Sequence, residues 1–88
     1  MQESDFVIVN RLGLHARAAA QLVQTANRYP CEVTVVKDGE AVNGKSIMGI
    51  LMLAAPKGAV ISVKTDGEQE EEALAGIGRL IDDGFGED

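Results

Sequence analysis

Three two-residue turn signals, Asp38-Gly39, Asn43-Gly44 and Asp66-Gly67, together with Pro30 and Pro56, cut this chain into pieces that can hold only brief strands and short helices. Each piece carries its own period. Phe6 to Val9 is a β-branched, apolar run, and the spacing predicts a first strand over Asp5–Val9 with apolar side chains on both faces. From Ala16 the apolar positions recur at helical spacing, predicting a helix over Ala16–Arg28. It places Ala16, Ala19, Ala20, Val23 and Ala26 on one stripe beside Leu22, and Pro30 stops it. Cys31–Lys37 alternates Val33 and Val35 against Thr34 and Val36. Asp38-Gly39 favours a type I′ hairpin, returning through Glu40–Asn43 as a short third strand.

Ser46 is a natural N-cap for a short helix over Ile47–Leu53. That helix is apolar around much of its circumference, and a two-layer domain can bury only part of such a girdle. Ile47, Met48 and Met52 are the expected excess, an exposed patch able to dock a partner; complete burial is the alternative. Gly49, without a side chain, would permit another surface to approach closely. A fourth strand over Ala59–Thr65 sends Ile61 and Val63 to one face. The last helix, Gln69–Asp83, opens on Glu70, Glu71 and Glu72, which complement its positive end. Its core stripe is Ala73, Leu74, Ile77, Leu80 and Ile81, with Phe85 packing beyond Gly84; Gly76 and Gly78 are costs without a local reason. The order β-α-β-β-α-β-α predicts an α+β open-faced sandwich, with three helices on one face of an antiparallel sheet.

At 88 residues the chain supports one domain, 1–88, with one small core. Aromatic residues make up only 3%, so Val, Ile, Leu, Ala and Met must build that core. No leading signal region or long apolar run is evident, so a cytoplasmic protein without membrane insertion is expected. A lone cysteine, Cys31, and a lone histidine, His15, cannot complete a zinc site, and no metal or other cofactor is expected. The net charge of −6 argues against nucleic acid as a partner. Residues 66–88 hold nine acids against Arg79 alone, while residues 1–65 hold seven Lys/Arg against five acids. The half carrying His15 is thus slightly basic and suits an acidic partner surface, unless the charges merely alternate on solvated faces.

His15 falls where the first strand hands over to the first helix. The first turn of a helix leaves N–H groups unpaired and carries roughly half a positive charge, which makes an anion site. The N–H groups of Ala16 and Arg17 are candidates to hold phosphate oxygens, and the Arg17 guanidinium can fork onto two of them. An imidazole, free amides and one arginine make neither a triad nor a metal site. They suit a phosphoryl group that arrives, rests and leaves. On spacing alone His15 is equally a loop end, with Arg17 a solvated charge and Gly13 a turn residue. An independent enzyme using His15 as general base lacks an orienting partner nearby, since no acid lies between residues 6 and 31.

Leu12-Gly-Leu-His-Ala-Arg, then Asn43-Gly-Lys-Ser-Ile-Met-Gly and Ala55-Pro-Lys-Gly, resembles the HPr family of bacterial phosphocarrier proteins of the phosphoenolpyruvate-dependent phosphotransferase system. The resemblance spans nearly the whole chain. One position departs: where the family often has proline after His-Ala-Arg, this chain has Ala18, and both residues suit a first helical turn. The His-Ala-Arg-Ala-Ala-Ala form, Tyr29-Pro-Cys-Glu-Val and the acidic Gly67–Ala75 stretch look closer to the nitrogen-regulatory branch, NPr.

The resemblance implies sheet order 1-4-2-3 and His15 as a phosphohistidine formed at Nδ1, with Arg17 stabilising the phosphate. It also implies enzyme I as donor, an EIIA-type protein as recipient, and a phosphoryl-transfer intermediate rather than an independent enzyme. In some bacteria a dedicated kinase, HPr kinase/phosphorylase, modifies the serine that matches Ser46, so Ser46 is a candidate regulatory site as well as a cap. A monomer is expected. The alternative to a carrier is a regulatory adaptor, whose partner binding is switched by phosphate at His15 or Ser46.

Overall fold

A computed structural model describes residues 1–87; Asp88, one of the nine acids counted above, lies outside them. Strands β1 (Gln2–Val7), β2 (Glu32–Lys37), β3 (Glu40–Asn43) and β4 (Val60–Asp66) form one antiparallel sheet in the order β1-β4-β2-β3. Phe6 pairs with Ile61 and Val7 with Val60, while Val35 stands between Val42 and Val63. Val33, Val35, Ile61 and Val63 are buried and their neighbours Thr34, Ser62 and Lys64 are half-buried, the two-residue period of a sheet covered on one face. Asp38 and Gly39 both take positive φ, 50° and 81°, as a type I′ hairpin requires.

Helices α1 (Ala16–Ala26), α2 (Ile47–Met52) and α3 (Glu70–Asp82) cover the inner face, which completes the predicted open-faced sandwich. The buried stripe of α1 runs along two i, i+4 rows, Ala18-Leu22-Ala26 and Ala19-Val23. Ala16 is exposed and Ala20 half-buried, so the predicted stripe was rotated: the first residue of α1 stands at the rim of the sheet. In α3, Ala73, Ile77 and Ile81 are fully buried, with Leu74 and Leu80 at the margins of the core. The two glycines of α3 now have reasons. A Cβ on Gly78 would stand 2.6 Å from the Phe6 ring, and one on Gly76 2.7 Å from the Tyr29 hydroxyl.

β1 departs most from the expectation. It begins at Gln2 and ends at Val7, because β4 offers pairing partners as far as Thr65 opposite Gln2 even to polar residues. Val7 and Val9 are 47% and 45% exposed on the uncovered outer face, whereas Ile8 turns fully into the core. Ser46 caps α2, its hydroxyl accepting from the Gly49 N–H at 3.1 Å. The surface that Gly49 admits belongs to this chain: an added Cβ would lie 3.3 Å from that of Val42 on β3.

Candidate functional site

Backbone hydrogen bonds stitch the stretch that carries His15 to the segment before β4. Ile8 donates to the Ala59 carbonyl at 2.9 Å, Gly58 donates to that of Ile8 at 2.7 Å, and Leu14 donates to that of Ala55 at 2.9 Å. Gly13, at φ +67°, makes the sharp reversal between them, and the His15 N–H closes onto its carbonyl at 2.9 Å. Leu14 is buried, so the side chain that follows it, His15, is turned toward the surface.

His15 is the N-cap of α1, with φ −77° and ψ 179°, and its carbonyl accepts the first helical bond, from Ala19 at 2.8 Å. The amides of Ala16, Arg17 and Ala18 have no protein partner among the described residues. Arg17 is exposed in the same turn. The structure thus brings His15, Ala16 and Arg17 together at one open helix end. Ser46 and the α2 residues form a second group with no hydrogen bond to the first: Ile47, Met48 and Met52 are 43%, 68% and 67% exposed.

The expectation that His15 lacks an orienting acid is overturned. Glu87 reaches back from beyond α3, and its Oε2 lies 2.6 Å from His15 Nε2. Its Oε1 accepts from Asn10 Nδ2 at 2.8 Å, and the same amide donates to the Gly13 carbonyl at 2.8 Å. The Asn10 hydrogen bond, aided by His15 and by the charge of Arg17 and opposed by desolvation, holds the Glu87 carboxyl below its ordinary value. Asn10 is almost fully buried and its Oδ1 has no partner among the described residues. A carboxylate 72 residues away along the chain leaves no trace in the sequence around His15. The one signal was an acid placed just after Gly84-Phe85-Gly86, where the chain can turn back. Leu12, on the loop before His15, is 63% exposed.

An open-faced sandwich that presents one imidazole at the open end of a helix defines a class: small proteins that offer a reactive ring to other proteins. The comparisons narrow it. A family model described as "PTS HPr component phosphorylation site" matches residues 2–83. The chain belongs to the HPr family and is a phosphocarrier protein of the phosphotransferase system. It is 51% identical over 87 residues to the phosphocarrier protein HPr of Neisseria meningitidis, covering 99% of this chain and 98% of that one. The crystal structure of HPr-C-His from Thermoanaerobacter tengcongensis is 44% identical, with a TM-score of 0.96 over 100% of this chain and 99% of that one. A crystal structure described as an HPr dimer from the same organism is 45% identical, with a TM-score of 0.80 over 99% and 100% of the two chains, and it stands against the expected monomer. Among the described residues no helix is long and apolar enough to cross a membrane.

Proposed function

We propose that His15 accepts a phosphoryl group at Nδ1 from phosphoenolpyruvate by way of enzyme I, and passes it to an EIIA-type protein. One observation carries this reading. The imidazole stands half-open to solvent at the start of α1, 28% exposed, with Nε2 engaged by Glu87, beside three amides that have no partner among the described residues. Phosphoryl transfer asks the protein mainly for positioning and for stabilisation of the equatorial oxygens, and the Ala16 and Arg17 amides with the Arg17 guanidinium supply both. They do so at a solvent-open surface, so the group is held without being trapped. The role belongs to the cytoplasm, and one copy of the chain supplies the whole site.

Incubation with phosphoenolpyruvate and the enzyme I of each branch, sugar-transport and nitrogen-regulatory, tests the reading and names the branch by rate. Acid-labile, base-stable label that moves on to an EIIA protein is expected; absence of label with both would reject it. Arg17→Ala is expected to slow transfer about tenfold, the worth of one charge-assisted hydrogen bond, while the melting curve stays where it was. An unchanged rate would remove Arg17 from the site.

We further propose that Ile47, Met48 and Met52 on α2, with Leu12, form the docking patch for both protein partners. Exposed thioethers beside small apolar groups adapt to more than one surface. The Ser46 hydroxyl lies at the edge of that patch, which favours the adaptor function as a second role of the same chain. Phosphate on Ser46 adds nearly two negative charges there and weakens binding to acidic partners. Treatment with HPr kinase/phosphorylase is expected to add one phosphate to the wild type and none to Ser46→Ala; no mass increase in the wild type removes the idea.

A further inference from the structure

The contacts around Glu87 limit where the protons can sit. Asn10 must turn its NH₂ toward Glu87, because the same nitrogen also serves the Gly13 carbonyl; flipped, its oxygen would face two acceptors. A carboxylate with one oxygen on that donor and the other 2.6 Å from His15 Nε2 requires a proton between oxygen and ring. With the Glu87 carboxyl held below its ordinary value and so ionised, the ring carries that proton, and a neutral ring then keeps its lone pair on Nδ1.

We infer that Glu87 is a positioning residue for the phosphoryl acceptor: it holds the proton on Nε2 and balances the charge that the ring takes on with phosphate. The inference rests on the reading of His15 as acceptor and adds to it a part for the segment beyond α3. In the transfer, the Nδ1 lone pair attacks the phosphorus of a phosphorylated imidazole on the donor protein. The new N–P bond forms as the donor's breaks, and the donor's ring recovers its electron pair. The Nε2 proton stays throughout, so His15 becomes a phosphorylated imidazolium lying against the Glu87 carboxylate. On hand-off the electron pair returns to Nδ1 and the ring is neutral again. No proton is gained or lost in either direction.

The fold holds Glu87 for this task. After α3 the chain turns through Gly84 and Gly86 at positive φ, and between them Phe85, itself at φ 58°, is 2% exposed in the core. A Cβ on Gly84 would touch Asn10 and Val9, so this turn lies directly on the loop that carries the site. The Glu87 N–H closes back onto the Gly84 carbonyl at 3.0 Å. The anchor is Phe85, and the Glu87 backbone bond survives a change of side chain, so substituting Glu87 leaves the core alone.

The test compares full-length wild type with Glu87→Gln and Glu87→Ala, each labelled with ¹⁵N at the imidazole. Glutamine has one acceptor and one donor end where the two partners are both donors, so it cannot rebuild the clamp. In the wild type the Nε2–H resonance is expected to be protected from exchange with water, and in both variants to be lost. The rate of phosphoryl uptake from phosphorylated enzyme I is expected to fall about tenfold or more, chiefly in kcat, with the melting curve unchanged. An uptake rate within about twofold of wild type, or a protected resonance that survives in Glu87→Gln, overturns the inference. A wild type that takes no label while showing the protected Nε2–H would instead overturn the acceptor reading, which keeps the two failures apart.

Discussion

His15→Ala is expected to abolish phosphoryl uptake, leaving no label on the protein after incubation with phosphoenolpyruvate and enzyme I. The chain has no second histidine to take over. Cys31 is 2% exposed and cannot meet a donor protein, and the Ser46 hydroxyl is engaged as the cap of α2 by the Gly49 amide. The loss is one of chemistry, because the fold asks little of this side chain. The imidazole makes no capping bond to α1, and the carbonyl that accepts from Ala19 belongs to the backbone and remains. Removing the ring strips Glu87 of one partner but leaves the Asn10 hydrogen bond, so the melting temperature should move by no more than a surface substitution moves it, about 0.5 kcal/mol in stability. Label counted on a denaturing gel, beside a thermal melt of the same preparation, separates the two effects. Full labelling of the variant would end the case for His15.

Elements whose period was strong were readable from residues alone. Val33, Val35, Ile61 and Val63 alternate as they must when one face of a sheet is covered, and α3 buries the Ala73, Ile77 and Ile81 row that its spacing announced. What failed depends on contacts between distant parts of the chain. The extent of β1 is set by what β4 offers opposite it, so polar Gln2, Glu3 and Ser4 lie in a strand while apolar Val9 does not. Gly76 and Gly78 make sense only beside Tyr29 and Phe6, which approach from other elements. The sheet order came from family resemblance, since several orders satisfy the same hydrophobic pattern. At the site the division is similar. His15, Ala16 and Arg17 are neighbours in sequence and were legible together. The carboxylate that completes the arrangement arrives by a turn whose direction is fixed by burial of Phe85 and by the positive φ of Gly84.

Gly13→Ala is expected to damage stability and transfer together, and more severely than any other single methyl group added to this loop. Two costs coincide there. The residue has φ +67°, where an L side chain costs roughly 1–2 kcal/mol. Its new Cβ would also stand 2.4 Å from the Ala55 carbonyl oxygen and 2.9 Å from Pro56 Cα, both backbone atoms that no rotamer can move. The Ala55 oxygen is at the same time the acceptor of the Leu14 N–H, so relief requires the 55–58 segment to retreat, stretching that bond and straining the pair that joins Gly58 to Ile8. Summed with at least about 1 kcal/mol for the overlap and about 1 kcal/mol for a lost buried hydrogen bond, the expected destabilisation is about 3–4 kcal/mol, a large share of what a small domain has. The His15 N–H bonds to the Gly13 carbonyl, so the same retreat shifts the imidazole away from Glu87 and the helix mouth, and uptake should fall about tenfold in the protein that remains folded. Gly39→Ala is the control: its φ of +81° carries a similar conformational cost, but nothing lies within 4 Å of the added Cβ. Urea denaturation should therefore separate the two by about 2 kcal/mol or more, with Gly39→Ala retaining wild-type uptake. Equal losses in both variants would mean that the close approach of Ala55 to the turn before His15 does not hold the site in place.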